Sequence, residues 1–240
     1  MRSSIGMLCA ALALLGLLGC ESTADLARKI AAKGIVAFHQ HGLSVAKVDK
    51  QIRVLGTAIV RDSSGTAVVI EVRSSSHKPV VNAPIAIDVA DGSGKSVFAN
   101  NSPGLAVSLT HIPLLLPGQV FDWINDQVLP NGTPARVTAR IGAGSSAPES
   151  LPQVEVSGAR PFDDPVSGYE VTGTVRNASG VSQANLVLYA VARRSGRVVA
   201  AGRAILSRLT AGKSAPFHAY LIGNPTGAQI SVTAPPSVLR

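Results

Sequence analysis

The sequence predicts an all-β protein built as two β-sandwiches in tandem. Three observations carry that expectation. From Ile52 onward, apolar residues recur with period two in short runs of strand-forming residues. Turn residues punctuate the runs, as at Asp91-Gly92-Ser93-Gly94 and Pro117-Gly118. The pattern of turns and strand faces then returns roughly 100 residues later, with Val54-Leu55-Gly56 echoed by Val156-Ser157-Gly158.

Residues 1–19 read as a secretory signal peptide. Arg2 gives a short positive start, residues 5–18 are apolar, and the small Gly19 precedes Cys20. The stretch is shorter than the roughly 20 apolar residues that a bilayer-spanning helix needs. Leu17-Leu18-Gly19-Cys20 resembles the bacterial lipobox. That resemblance implies lipid attachment at Cys20, which becomes the new N-terminus. Cys9 lies within the signal, so Cys20 is the sole thiol of the expected mature chain, and an unpaired exported thiol needs an explanation. At about 0.8 kcal/mol per buried methylene, the two or three acyl chains implied by the resemblance hold a protein stably at a membrane. The expected location is the cell membrane or outer membrane, lipid-anchored and facing the extracytoplasmic side. Glu21 follows the cysteine, not the Asp that marks inner-membrane retention in some bacteria.

Residues 20–50 are expected to form a helical spacer next to the lipid. Ser22-Thr23-Ala24-Asp25 offers capping side chains for a helix start. Leu26, Ile30 and Ala37 follow at near-helical spacing beside Arg28, Lys29 and Lys33, and Gly42 ends the segment. A solvated spacer is the favoured reading, and a basic helix lying on anionic headgroups is the alternative.

Residues 51–145 carry the first expected sandwich, with about seven short strands. Val68, Ile70 and Val72 share one face, as do Ile85, Ile87 and Val89, and then Val137, Ala139 and Ile141. Trp123, flanked by Asp122, Asn125 and Asp126, is expected to pack between sheets with the acids in water. Calcium needs about 6–8 oxygen ligands, and this spacing matches no recognised loop. Gly142 to Pro148 is small and uncharged, and reads as a flexible linker.

Residues 152–240 repeat the plan. Gly65 with Val72-Arg73 returns as Gly168 with Val175-Arg176. Ile85, Ile87 and Val89 align with Val187, Tyr189 and Val191, and Pro117-Gly118 with Phe121 aligns with Ala211-Gly212 and Phe217. The first repeat carries an insertion around residues 100–107. Phe162-Asp163-Asp164-Pro165 is expected to be a turn. Val171-Thr172-Gly173-Thr174-Val175-Arg176-Asn177, Leu188-Tyr189 and the later Gly212 and Phe217 resemble FxLYD-type domains over residues 168–225. Ala190 stands where that family usually has Asp, and the first repeat has Ile70 and Ser74 in place of the Gly and Asn. The resemblance implies immunoglobulin-like sandwiches of an extracytoplasmic bacterial protein, binding or architectural in role, with no catalytic residues to carry over. The full expectation is all-β: two tandem immunoglobulin-like β-sandwiches preceded by a short N-terminal helix and a signal peptide.

The formal charge of +8 is uneven. Residues 151–240 hold nine basic and four acidic side chains, against seven and six in residues 51–145. A positive excess suits anionic lipid or polymer surfaces. Sparse aromatics, export and the lack of a recognised motif argue against nucleic acid. Arg193, Arg194 and Arg197 flank the Ser195-Gly196 turn and form the candidate basic partner surface, toward an envelope protein or anionic polymer. The competing reading is a charged hairpin tip that discourages edge aggregation. His39-Gln40-His41 could point two imidazoles the same way on an extended chain, but no further ligands accompany them, so no metal or cofactor is assigned. His77, His111 and His218 are scattered, and no nucleophile or phosphate-binding motif occurs. The expected function is a non-enzymatic binding or adaptor lipoprotein of the envelope. The alternatives are a passive spacer and, behind it, a metal carrier or enzyme.

Overall fold

The computed structural model describes residues 42–165 and 168–239. The expected signal peptide, Cys20, His39, His41 and the expected spacer helix lie outside those residues. Residues 42–50 are non-helical; Val45 is buried, and Arg140 donates to the Ala46 carbonyl at 3.0 Å.

The protein is all-β and sandwich-like, as the alternation predicts. The first half runs β1 (Ile52–Asp62), β2 (Gly65–Ser74), β3 (Val80–Ala90), β4 (Ser96–Ala99), β5 (His111–Leu115), β6 (Val120–Asn125), β7 (Arg136–Ile141) and β8 (Ser145–Ser146). One sheet has the order β1-β2-β6, and in the other β3 is flanked by β4 and β5 and by β7 and β8. The second half runs β9 (Val154–Asp164), β10 (Gly168–Asn177), β11 (Gln183–Arg194), β12 (Arg197–Leu209), β13 (Ser214–Tyr220), β14 (Ile222–Gly223) and β15 (Gln229–Thr233). Its sheets are β13-β10-β9 and β14-β12-β11-β15. All pairings are antiparallel.

Each half has its own core. Val68, Ile70 and Val72 meet Ile85, Ile87 and Val89 in the first, with Trp123 and Phe121 from β6. Val171, Val175 and Phe217 meet Leu186, Leu188 and Ala190 in the second. The duplicated plan extends to irregular features. β1 shifts register between Val54 and Gly56, and β9 shifts opposite Thr172 and Thr174, at the corresponding point. Asn82 in β3 and Asn185 in β11 both adopt left-handed backbone, with φ of 52° and 49°. Neither is paired in its ladder, although the register runs through both positions without a shift, and asparagine tolerates that conformation better than most residues.

These two left-handed asparagines correct the expected alignment by one residue. Asn82 matching Asn185 places Ile85, Ile87 and Val89 opposite Leu188, Ala190 and Ala192, all facing their own cores. Val187, Tyr189 and Val191 instead pack with the first core. A one-residue slip turns every strand side chain to the other face. Likewise, Trp123 lies opposite Ile70 as Phe217 lies opposite Gly173, so Trp123, not Phe121, is the counterpart of Phe217.

The stretch expected to be a flexible linker is stitched to β3. Gly142 N–H donates to the Pro84 carbonyl at 2.8 Å, and β8 pairs with Val80 and Val81. A Cβ on Gly144 would sit 2.5 Å from the Val81 carbonyl oxygen, so its lack of side chain permits the close approach. Phe162 to Asp164 are strand residues at the end of β9, and the turn begins at Pro165.

Two fully buried asparagines secure the loops. Asn100 donates to the carbonyls of Ile85 and Leu109 and accepts from Ile87 N–H, bridging β3 to the inserted loop between β4 and β5. Asn177 donates to the carbonyls of Val181 (2.8 Å) and Leu209 (3.2 Å) and accepts from Ser179. Its burial also leaves no room for a glycan on the Asn177-Ala178-Ser179 sequon. Asn177→Ala removes its bond to the Leu209 carbonyl and one of three side-chain bonds to the Val181 carbonyl, which keeps Ser179 Oγ and Gln183 Nε2, and a cost of about 1–3 kcal/mol is expected in urea denaturation.

Candidate functional site

The two halves meet along a seam where the β1-β2-β6 sheet faces the β14-β12-β11-β15 sheet. Strand parity explains why. In β2, Val68, Ile70 and Val72 point into the first core, so Ala67, Val69 and Glu71 point the other way. In β11, Leu188 and Ala190 point into the second core, which turns Tyr189, Val191 and Arg193 toward the first half. Both sides of these strands are covered. Thr66 to Ile70, Leu188 to Ala192 and Ala200 to Ala204 are therefore continuously buried.

Two arginines of the second half close the seam on acids of the first. Arg203 on β12 is 2% exposed in its side chain and pairs with Asp126, just beyond β6. Its Nε and Nη2 donate to Asp126 Oδ1 at 2.8 and 2.6 Å, and its backbone N–H donates to Oδ2 at 3.0 Å. Its Nη1 donates to Ser108 Oγ at 3.0 Å. Arg193 forks onto Asp122, with Nη1 to Oδ2 at 2.8 Å and Nη2 to Oδ1 at 2.6 Å. The same Nη2 lies 2.8 Å from Glu71 Oε2. The Asp122 hydrogen bond, reinforced by the charges of Asp122 and Glu71, raises the Arg193 pKa above its ordinary value despite partial burial. A third tie runs from Gly223 N–H to Asp62 Oδ2 at 2.6 Å. Bidentate guanidinium–carboxylate pairs fix orientation as well as distance. The seam is therefore a registered joint.

This geometry divides the candidate basic surface. Arg193 is turned into the seam, where Asp122 and Glu71 hold it with its side chain 24% exposed. Arg194 and Arg197 pair across the hairpin at its exposed tip, where Ser195 and Gly196 both have positive φ, the signature of a two-residue hairpin turn. Arg194 donates to the carbonyls of Asn224 and Thr226. Arg197 borders an open groove of about 380 Å³ whose walls include Gly56, Thr57, Glu71 and Arg193. The acids flanking Trp123, expected to face water, are instead the seam's acceptors: Asp122 and Asp126 hold arginines, and Asn125 caps Gln127 N–H at 2.9 Å.

The three described histidines stay apart. His77 is exposed in the β2–β3 turn. His218 lies on the outer face of β13, its Nδ1 2.9 Å from the buried Glu170 carboxylate of β10. His111 begins β5 at the seam, and burial lowers its pKa. Sequence reasoning missed the seam residues Asp62 and Glu71, and it placed Asp126 in water. The available signal was the continuous apolar runs Ala67-Val68-Val69-Ile70 and Leu186-Val187-Leu188-Tyr189-Ala190-Val191-Ala192. Such runs denote strands covered on both faces, whereas a half-exposed strand alternates.

Fold and seam together define a double-sandwich protein whose halves are locked face to face. No family model matches the chain, and none of the curated proteins matches it.

Proposed function

We propose that this chain is a membrane-anchored envelope lipoprotein whose two sandwiches act as a single non-enzymatic binding or adaptor module. The observation that carries the reading is the seam. Arg193 and Arg203, clasped on Asp122 and Asp126, give any partner one rigid surface spanning both halves. A passive spacer has no need of such a joint. Lipid on Cys20 holds that surface at the extracytoplasmic side of a membrane, and the exposed Arg194 and Arg197 present positive charge to an envelope protein or anionic polymer. The resemblance of the second half to FxLYD-type domains is supported by the roles of its motif residues. Gly173 leaves room for the Phe217 ring, whose nearest carbon would lie 2.8 Å from a Cβ there, and Asn177 holds the loop after β10.

Two measurements test the proposal. Cys20→Ser is expected to abolish incorporation of labelled fatty acid and to release the protein from membranes in fractionation. Crosslinking in cells is expected to capture an envelope component with the native chain and to lose it with Arg194→Glu/Arg197→Glu. Retention of Cys20→Ser in washed membranes overturns the anchor. Equal capture by the native chain and the double variant overturns the basic tip as the contact.

A further inference from the structure

We infer that the seam contains a binding site for a small, neutral, single-ring molecule carrying both a hydrogen-bond donor and an acceptor. The site is a recess of about 210 Å³ beside the Arg203–Asp126 pair, and both halves contribute walls. Its polar lining is Asn82, Ser108, His111, Asn185, Tyr189 and Ser237. Val107, Pro113, Val187 and Pro235 supply apolar walls. The two left-handed asparagines thus meet at one recess, one from each half.

The case for a ligand rests on an unanswered polar group. Tyr189 is 1% exposed, and its hydroxyl makes no hydrogen bond with any described residue. Its ring packs edge-on against Phe121 at 5.1 Å, which anchors the side chain. Burial raises the Tyr189 pKa, so the hydroxyl stays protonated and can donate. A buried polar group without a partner is costly; Tyr189 lines the recess, and its hydroxyl, itself closed to solvent, meets a ligand when the wall beside it yields.

The chemical class follows from the lining. No Asp, Glu, Lys or Arg faces the recess, so an ion entering it would lose hydration without gaining a counter-charge. His111 sets the complementary contact. Thr110 Oγ1 lies 3.2 Å from the Val107 carbonyl and 2.9 Å from His111 Nδ1, and burial of His111 disfavours its charged form. In the neutral tautomer whose Nδ1–H donates to Thr110 Oγ1, Nε2 is left as an acceptor. Tyr189 O–H can serve a ligand acceptor, and His111 Nε2 a ligand donor. For scale, an apolar cavity of about 150 Å³ takes benzene, so this recess has room for a ring with a short polar substituent.

Three near-isosteric probes separate neutrality from size: 4-fluorobenzamide, 4-fluorobenzoate and 4-fluorobenzamidinium, each titrated against the full chain and followed by fluorine NMR. The amide is expected to bind saturably, at least tenfold more tightly than either ion. Tyr189→Phe is expected to weaken it about fivefold or more. Ala184→Trp, which places an indole in the recess from an exposed position on its wall, is expected to abolish binding without entering either core. Absence of saturation by the amide, equal affinity for the ions, or unchanged binding by Ala184→Trp overturns the site. The readout requires neither lipid nor partner, so its failure leaves the proposed lipoprotein function standing, and the converse also holds.

Discussion

Asp126→Ala is expected to destabilise the protein by about 3–5 kcal/mol, because it leaves the Arg203 guanidinium buried with only Ser108 Oγ as a partner. The size comes from asymmetry. A buried pair gains little net stability over apolar residues, but one uncompensated charge keeps its full desolvation penalty. Arg203→Met/Asp126→Ala is therefore expected to recover most of the loss, and the coupling in the double-mutant cycle should exceed about 2 kcal/mol. Urea denaturation measures all four corners. A loss below 1 kcal/mol for Asp126→Ala would mean that water reaches Arg203, which is incompatible with a closed seam.

That pair marks where sequence reasoning stopped. Alternation in β3 and β7 identified core faces that the structure keeps: Ile85, Ile87 and Val89 are buried, as are Val137 and Ile141. It worked because one face of that sheet is wet. In β2, β11 and β12 both faces are dry, so alternation disappears and parity loses its cue. Val187, Tyr189 and Val191 were consequently placed on the wrong face. A locally readable mark was the pair Asn82 and Asn185, two side chains that tolerate left-handed backbone at matching positions.

The seam's polar contacts were harder still. Arg193 and Asp122 are 71 positions apart, and Arg203 and Asp126 are 77 apart. No local pattern pairs them. The sequence did show their sum: a positive excess in the second half, beside a first half with six acids. Four of those acids, Asp62, Glu71, Asp122 and Asp126, accept from the second half. The charge imbalance that suggested an outside anionic partner is thus partly answered within the chain, leaving Arg194 and Arg197 as the tip charges outside the clasp.

Trp123→Ala is expected to cost about 3–5 kcal/mol, through a cavity where the largest fully buried side chain stood. More than packing is removed. Trp123 Nε1 donates to the carbonyls of Ser108 (3.1 Å) and His111 (3.2 Å), two residues that line the seam recess. Trp123→Phe separates the effects: it retains a ring but strands both carbonyls, with an expected loss of about 1–3 kcal/mol. Trp123 is the chain's only tryptophan, so its fluorescence reports the first core alone. If the seam joins the halves into one cooperative unit, the fluorescence transition coincides with far-UV circular dichroism in the native chain. Asp126→Ala, which leaves Trp123 in place but opens the seam, is then expected to split the two transitions. Separate transitions in the native protein would show halves that unfold independently, and the rigid joint on which the binding module depends would be lost with them.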